Sequence, residues 1–486
     1  MPEGCGVRVV LVVQSFPKLS ETFIFRKVSA LLERGWDVYV VCSESEAVEW
    51  VYFLGGVHRG DAEYAEGNSQ NKNHSVPSAS RRLIISLRSR VHKVWPHTPH
   101  WCAGLLVPVA LIHCLAKNPV GTICYLRLGW RLVGIGVLKK LYTDRPIICL
   151  KPDVVHFEFG ALAVGRMHLK ELLQCRIVVS FRGYDLNFAG LESSVGWTKT
   201  PPEVDGDTKG IHRGDAGYAE GYLYYREIWE KADCLHLLGE DLWRRAQARG
   251  CPPAKHHVLI PPAIDTEQFN PGNRIHDAVA GTLARPLRIL SVGRLEWKKG
   301  YEFALRAVQM LVARGISVEY RIVGAGAYFE ALAFARHQMG LEKNVVFEGP
   351  LSPLVLIEKM KWADVFLHAA VSEGFCNAVM EAQSMKLPVV SSDADGLGEN
   401  VADGKSGYVV PRRNPEALAG RLEHLARNPA LRQRMGEAGR VRVKREFNPM
   451  SQLAAFEGVY RGVFGAIHPR DRKTTKARRR EVSLSV

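Results

Sequence analysis

The segment from Asp364 to Asp393 restricts the fold more than any other part of the chain. An apolar run from Val365 to Val371 ends in Ser-Glu-Gly, a helix-forming run covers Asn377 to Met385, and a second apolar run follows Pro388. This order of strand, loop, helix and strand predicts the βαβ unit of a parallel sheet. Ligands of open α/β sheets bind beyond the carboxyl ends of the strands, so the loop 372–376 is a predicted binding loop.

The residues around this loop suit a sugar nucleotide. Glu373 lies in the loop, and Glu381 follows eight residues later, on the helix. A helix N-terminus presents unpaired N–H groups to an anion such as a diphosphate, and Gly374 lets the backbone approach it closely. Carboxylates accept hydrogen bonds from vicinal hydroxyls, so Glu381 suits a ribose and Glu373 a transferred sugar. The nucleotide-binding candidates of this segment are Gly374, Phe375, Cys376, Asn377 and Glu381.

A second motif lies upstream, where the apolar run Leu287–Gly293 is followed by Arg294 and Lys299 in GRLEWKKG. At the end of a first Rossmann-type strand, a guanidinium and an ammonium can neutralise a diphosphate. Basic residues alone also fit a solvated face, and their register with Glu373 favours the binding site. Gly293, and Gly324 in a Gly-x-Gly turn, are expected to allow tight turns beside the nucleotide.

The E-x7-E spacing from Glu373, with Gly374 after the first Glu, resembles the donor site of retaining family-4 glycosyltransferases, which have the GT-B fold. FPKLSETFI at residues 16–24 resembles the subgroup that builds bacterial exopolysaccharide or capsule, including the colanic-acid type. The resemblance implies an α/β chain with two Rossmann-like domains facing across a cleft. It also implies a hexosyltransferase that moves a sugar from a UDP- or GDP-linked donor to a lipid-linked or saccharide acceptor. The anomeric configuration would be retained, with no metal and no further cofactor.

The resemblance also gives roles to individual residues. Arg294, Lys299 and Glu373 are the catalytic candidates, the two cations for the leaving diphosphate and the carboxylate for the sugar. On the acceptor side, Ser20 and Glu21 lie in the opening loop, where they also fit a helix cap.

The turn at residues 182–185 stands where the family commonly has His-Gly-x-Asp, here with Arg182 in place of the histidine and with Asp185 kept. Because arginine stays charged, it cannot act as a neutral proton carrier. His156 is the candidate substitute, with a role in the core as the alternative.

The same patterns divide the chain into five parts. The predicted parts are an acceptor-side Rossmann-like domain (1–268) with insertions near 43–100 and 190–220, a linker (269–286), a nucleotide-sugar-binding Rossmann-like domain (287–448), a closing helix that returns to the first domain (449–467) and a basic tail (468–486). The insertions hold two near-identical decapeptides, HRGDAEYAEG at His58–Gly67 and HRGDAGYAEG at His212–Gly221. Two copies are too few for a repeat fold, so they are interpreted as surface segments.

Two short motifs imitate known sites and are rejected. Asp393-Ala394-Asp395 imitates a metal-binding D-x-D, but no further ligand cluster accompanies it in the sequence. Gly404-Lys405-Ser406 imitates the end of a P-loop, but Glu399 replaces the glycine that this motif needs, and a strand is predicted to follow.

Charge and cysteine content bear on partners and location. The net charge of +15 favours anionic partners without naming them. Ten cysteines without a C-x-x-C pair favour a reducing cytoplasm, and no apolar stretch reaches the ~20 residues of a membrane span. The basic and apolar run Arg81–Leu141 fits helix packed on a sheet, with contact to an anionic membrane at the inner face of the plasma membrane as the alternative.

Two other functional classes stay open. One is a nucleotide-sugar epimerase with the same two-Rossmann architecture, which would need no acceptor. The other is a basic, non-catalytic binder of polyanions or membranes, for which the net charge is the only motive. A nucleic-acid partner is not expected.

Overall fold

A computed structural model describes residues 6–18, 22–45, 86–94, 100–187, 224–274 and 278–465. Most of both predicted insertions, the two decapeptides and the basic tail lie outside these ranges, as do the candidate residues Ser20 and Glu21.

The chain forms two compact units, each built on one parallel sheet. The first unit comprises residues 1–237, 244–260 and 453–486, and the second comprises residues 238–243 and 261–452. The predicted α/β class with two Rossmann-like halves is confirmed. The domain boundaries predicted from the sequence stay a prediction.

Within the described residues, the sheet of the first unit has seven strands in the order β3-β2-β1-β4-β5-β6-β7. Its central strands are nearly continuous apolar runs with buried side chains, as a sheet covered on both faces requires. The strands are β1 Arg8–Ser15, β2 Asp37–Glu44, β3 Val91–Lys93, β4 Val154–Phe157, β5 Arg176–Phe181, β6 Cys234–Leu237 and β7 His257–Leu259. The helices along this part of the chain are α1 Thr22–Glu33, α2 His100–Lys117, α3 Pro119–Val133, α4 Gly136–Leu150, α5 Gly160–Ala163, α6 His168–Leu173, α7 Tyr184–Asn187, α8 at residues 224–231 and α9 Glu240–Ala248.

One segment of the first unit differs from its predicted form. The helical pattern expected over Arg81–Leu141 is interrupted by the short strand β3, which pairs in parallel with β2 from Val40 to Cys42. The prediction of helix at Val91–Lys93 is therefore wrong. Pairing with the open edge of β2 decides the conformation here, and three residues are too few to carry a strand pattern.

The sheet of the second unit has six strands in the order β10-β9-β8-β11-β12-β13. The order reverses between β8 and β11, which places a crevice at the carboxyl ends of these two strands. The strands are β8 Leu287–Val292, β9 Val318–Val323, β10 Val345–Gly349, β11 Val365–His368, β12 Val389–Ser392 and β13 Gly407–Val410. The helices are α10 Tyr301–Ala313, α11 Phe329–Gln338, α12 Pro353–Trp362, α13 Asn377–Ser384, α14 Leu397–Asn400, α15 Pro415–Arg427, α16 Pro429–Glu446 and α17 Pro449–Gly465.

The predicted βαβ unit is confirmed as β11, α13 and β12, with β11 and β12 parallel. Strand β13 follows Ser406, which confirms the prediction that a strand comes after Gly404-Lys405-Ser406. From Leu453 onward, α17 belongs to the first unit and contributes to its core.

Hydropathy gives one further result. Across the described ranges, no helix has both the length and the apolar character that crossing a bilayer demands.

Candidate functional site

The second unit holds a buried ion pair at its crevice. The chain leaves β8 through Gly293 and Arg294 and makes a short 3-10 turn at Trp297–Lys299. The Lys299 ammonium then donates to the Glu373 carboxylate, which lies in the loop after β11. The two side chains are only 12% and 14% exposed. Two candidates that lie 74 positions apart in the sequence therefore meet in one site.

Both partners of this pair are charged at neutral pH. Burial alone would raise the pKa of Glu373, but the charges and hydrogen bonds of Lys299 and His368 together outweigh burial and hold this pKa at about 2. Burial alone would lower the pKa of Lys299, but Glu373 and Cys376 together outweigh burial and raise this pKa above its usual value. A cation and a carboxylate are thus held together, with little access to water.

His368 is a neighbour of this pair that sequence reasoning missed. Its Nε2 lies 3.3 Å from Glu373 Oε2, and its side chain is 4% exposed. Burial alone would lower the pKa of His368, but Cys376 and Glu373 raise it to about 9. The sequence signal was weak, since His368 is the last residue of an apolar strand and resembles an ordinary core histidine.

The same neighbours include potential metal ligands. Within the described ranges, one atom each of His368, Glu373 and Cys376 lies within 4.8 Å of the others. Nitrogen, oxygen and sulfur ligands of this kind suit Zn²⁺. However, the Lys299 ammonium already contacts the same Glu373 oxygen, and it would compete with a cation there. The expectation of metal-independent chemistry stays a prediction.

Asp395 shapes the loop that carries Glu373. Its Oδ2 accepts hydrogen bonds from Ser372 Oγ at 2.7 Å and from the Glu373 N–H at 3.0 Å, and its Oδ1 accepts from Arg412 at 3.0 Å. Asp393 also pairs with Arg412. The two carboxylates of the D-x-D imitation are therefore engaged in structural contacts.

Helix α13 begins directly after this loop. Cys376 occupies its N-cap without a capping side-chain hydrogen bond, and the Cys376 N–H donates to Asn400 Oδ1 at 3.0 Å. Asn377 is the exposed first residue of the helix, and Glu381 is half-buried in its second turn. Phe375 packs against Phe447, with ring centroids 5.8 Å apart, and anchors the loop to the core.

Glycines at two positions allow turns of the site to pack closely. Gly324 has φ +142, and a Cβ there would lie 2.0 Å from the Gly293 carbonyl oxygen. A Cβ at Gly396 would lie 2.0 Å from the Gly374 carbonyl oxygen. The Gly293 carbonyl also accepts from the Tyr301 hydroxyl at 3.1 Å. Backbone contacts of this kind leave no room for a side chain.

Arg294 lies at the exposed edge of the site. Its side chain is 66% exposed and pairs with Glu296 at 2.8 Å. Its positive charge lowers the pKa of Lys299 slightly, against the stronger effect of Glu373. The structure therefore brings Lys299, Glu373 and Cys376 together and places Arg294 beside them.

The described acceptor-side candidates, His156, Arg182 and Asp185, lie in the first unit. His156 has no exposed surface, and its nitrogens contact Tyr460 Oη at 2.8 Å and Ser180 Oγ at 2.7 Å. Burial keeps the pKa of His156 well below its usual value, so the ring is neutral. A fully buried, neutral histidine fits the alternative of a structural role in the core. An acceptor role of His156 stays a prediction.

Arg182 and Asp185 form the turn after β5. The Arg182 guanidinium donates to Glu158 and lies 4.2 Å from the centre of the Phe23 ring. Glu158 also accepts from the buried Lys27, whose pKa is lowered to about 8 because burial outweighs the Glu158 charge. Asp185 is 1% exposed and accepts from the Arg182 N–H at 2.9 Å, so it fixes the turn itself.

Comparison with known proteins identifies relatives of the chain. Residues 276–442 match the family model described as glycosyl transferases group 1. The putative colanic acid biosynthesis glycosyltransferase WcaL of Salmonella typhimurium is 26% identical over 431 residues, which are 87% of this chain and 91% of the relative. The amylovoran biosynthesis glycosyltransferase AmsK of Erwinia amylovora is 26% identical over 450 residues, 91% of this chain and 96% of the relative.

A solved structure extends the likeness to the fold. HepE from Anabaena, in complex with UDP and glucose, superposes with a TM-score of 0.59 over 93% of this chain and 99% of its own. At 12% identity this likeness shows the fold alone. The fold is of the GT-B type that the sequence predicts.

Proposed function

The chain contains a glycosyl transferases group 1 domain at residues 276–442, and on this premise we propose that it is a glycosyltransferase of bacterial exopolysaccharide synthesis. The names of WcaL and AmsK, which both align over most of the chain, support this biosynthetic context. The donor in this proposal is a nucleotide diphosphate sugar. A UDP-linked sugar is the first donor to test, because HepE was solved with UDP and glucose.

The observation that carries the proposal is the Lys299–Glu373 pair at the point where the strand order of the second sheet reverses. A leaving diphosphate gains negative charge, which a buried ammonium and an adjacent guanidinium stabilise. Lys299 supplies the ammonium, and Arg294 supplies a guanidinium that is exposed and accessible to ligand. Glu373 can accept hydrogen bonds from sugar hydroxyls while Lys299 keeps it ionised.

The finer features of the reaction belong to the same proposal. We propose transfer of a hexose with retained configuration and without an obligatory metal. A nucleophilic role of Glu373 is not part of it, because retaining hydrolases use two carboxylates ~5 Å apart, whereas the Glu373 carboxylate contacts the cations Lys299 and His368. The acceptor is proposed to be a lipid-linked saccharide, which would place the enzyme at the inner face of the plasma membrane. No nucleic acid takes part.

Donor binding can be measured through stability, because a ligand of the native state raises its melting temperature. The wild-type chain is expected to melt higher with a UDP- or GDP-sugar, and Lys299→Met is expected to lose most of this shift. Lys343→Met is the matched control, since Lys343 is exposed in the same unit.

Product analysis with a lipid-linked acceptor then separates the alternatives. A glycosylated lipid supports the proposal, whereas a converted nucleotide sugar without acceptor would indicate an epimerase. Binding of polyanions that is unchanged in Lys299→Met and in Glu373→Gln, with no donor-induced shift, would indicate a non-catalytic binder.

A further inference from the structure

Exposed apolar side chains of the first unit are concentrated on one pair of helices. In the described part of this unit, every large apolar side chain counted as exposed lies between Val109 and Ile135. Ile112 is 67% exposed, Ile123 57%, Trp130 59% and Ile135 74%. We call the outward surface of α2, α3 and the turn after α3 the α2–α3 face. Apolar side chains grouped in this way mark an interaction surface more often than scattered ones do.

The spacing along α3 shows that these side chains share one side of the helix. Residues 120, 123, 127, 130 and 131 are exposed, whereas Thr122, Tyr125 and Gly129 are buried. Steps of three and four residues keep side chains on a single helical stripe. The opposite side of α3 packs on α4, where a Cβ at Gly129 would lie 2.3 Å from Val137. The stripe is therefore directed away from the unit.

The charges on this face have one sign. No Asp or Glu occurs from residue 100 to residue 143, a stretch that contains five basic residues. Lys117, Arg127, Arg131 and Lys139 are exposed. The next acidic residue, Asp144, is 1% exposed and accepts from the Tyr125 hydroxyl at 2.9 Å. No carboxylate of this stretch therefore faces solvent beside the apolar side chains.

We propose that the α2–α3 face docks on the surface of an anionic lipid bilayer. Isoleucine and tryptophan side chains would enter the boundary between headgroups and acyl chains, and the basic side chains would contact lipid phosphates. The combination of apolar and purely basic groups matches such a surface better than it matches a polyanion without an apolar layer. The proposal rests on the proposed function in one respect: docking would give the enzyme access to a lipid-linked acceptor.

Vesicle co-sedimentation of the full chain tests the proposal. Wild type is expected to bind phosphatidylcholine vesicles that contain phosphatidylglycerol and to bind pure phosphatidylcholine weakly. In Arg127→Glu/Arg131→Glu, affinity for the anionic vesicles is expected to fall about a hundredfold, since each basic residue near the surface contributes appreciably. Trp130→Ser is expected to weaken binding about tenfold with no change in melting temperature, because the side chain is exposed.

The matched control carries the same charge change elsewhere. Lys343→Glu/Arg434→Glu alters two exposed residues of the second unit and is expected to bind vesicles like wild type. If Arg478→Glu/Arg479→Glu/Arg480→Glu abolished binding while Arg127→Glu/Arg131→Glu kept it, the chain terminus would be the anchor and the proposal would be overturned. Dimerisation of wild type that Trp130→Ser abolishes, without any vesicle binding, would overturn it in favour of a second copy of the chain.

The donor-induced melting shift, measured on the same variants, separates this inference from the proposed function. Vesicle binding that depends on the face, together with no donor shift in wild type, would contradict the enzyme proposal alone. A donor-induced melting shift in wild type, together with vesicle binding that the substitutions on the α2–α3 face do not change, would contradict the docking proposal alone.

Discussion

Individual protons can be assigned along a chain of hydrogen bonds in the first unit. His236 Nε2 lies 2.9 Å from the Ile260 carbonyl oxygen, which can only accept, so Nε2 carries the proton. His236 Nδ1 then accepts from Ser180 at 2.7 Å, and Ser180 in turn accepts from His156 Nε2 at 2.7 Å. His156 Nδ1 is left to accept from the Tyr460 hydroxyl at 2.8 Å. Both imidazoles are neutral in this arrangement, and each of the four side chains donates one proton.

Low pH is expected to lower the free energy of unfolding of the first unit, because it protonates histidines of this chain of hydrogen bonds. Burial lowers the pKa of His236 from 6.5 to about 3. Between these values the unfolded state binds the proton and the folded state does not, so the free energy of unfolding is greatest above pH 6.5 and falls as the pH drops towards 3. The wild-type slope includes up to about 1.4 kcal/mol per pH unit from this one group.

Urea unfolding at a series of pH values measures that slope. His236→Gln is expected to flatten it, although not fully, because burial also keeps the pKa of His156 low. His256→Gln, at an exposed histidine of the same unit, is expected to keep the wild-type slope. Parallel slopes for wild type and His236→Gln would contradict the assignment.

Arg294 allows catalysis to be tested without disturbing the fold, because its side chain is largely exposed. Arg294→Ala is expected to lower kcat about a hundredfold by removing a charge that stabilises the leaving diphosphate, with little change in melting temperature. Arg306→Ala, at an exposed arginine on α10, is the control. Steady-state kinetics in which the two variants behave alike would remove Arg294 from the site.

The site could be predicted from sequence only where a residue follows a strong local pattern. Lys299 and Glu373 each follow a predicted strand of a Rossmann-type unit, so their convergence followed from topology. Asp395 and Arg412 hold the Glu373 loop through contacts that cross two strands, and no local spacing indicates them. The spacing around Asp395 only imitates a metal motif, and residue spacing alone does not show the side-chain contacts that Asp395 makes.

Among the elements, α15 depends on a buried arginine from the helix that follows it. Arg432 has no exposed surface and donates to the carbonyl oxygens of Leu425 and Ala426 near the end of α15, and to that of Ala278. The carbonyl end of a helix carries partial negative charge, so a guanidinium is stabilising there. One side chain thus joins two helices to the segment that precedes β8.

Arg432→Met is expected to lower the free energy of unfolding of the second unit by about 3 kcal/mol, because it leaves buried carbonyl groups without their charged donor. Thermal and urea unfolding would measure this loss. Arg434→Met, two residues further along the same helix and exposed, is expected to have little effect. Equal losses in the two variants would show that Arg432 does not stabilise α15.

Elements with long apolar runs could be predicted from sequence with nearly correct bounds. The expected strand Leu287–Gly293 is β8 at Leu287–Val292, and the expected helix Asn377–Met385 is α13 at Asn377–Ser384. Strand β3 could not be predicted, since its pairing with β2 depends on a neighbour about 50 residues earlier in the chain. The local pattern of apolar residues therefore predicts the helices and strands, except for a short edge strand whose sequence has no such pattern.

For the whole molecule, the main consequence is that the first unit contains both the beginning and the end of the described chain. Leu453, Phe456 and Tyr460 of α17 belong to the same core as Val9 of β1 and Val154 of β4. Glu457 of the same helix accepts from Trp36 Nε1 at 2.9 Å and pairs with Arg34 at 3.0 Å. The first unit therefore cannot complete its core until the second unit has been synthesised.

Phe456→Ala is expected to destabilise the first unit selectively, although the residue follows the entire second unit in the chain. Its ring is 2% exposed and lies 4.2 Å from the Lys27 ammonium, so truncation removes both apolar packing and a cation–π contact. Loss of a buried aromatic ring costs about 3–5 kcal/mol. Hydrogen exchange should show lower protection in β1 and β4 of the variant and unchanged protection in β8 and β11.

Met450→Ala, at a 61% exposed residue of the same helix, should leave both sheets as in wild type. Equal loss of protection in the two sheets of Phe456→Ala would mean that the units unfold together, because a defect confined to one core would then be transmitted to the other.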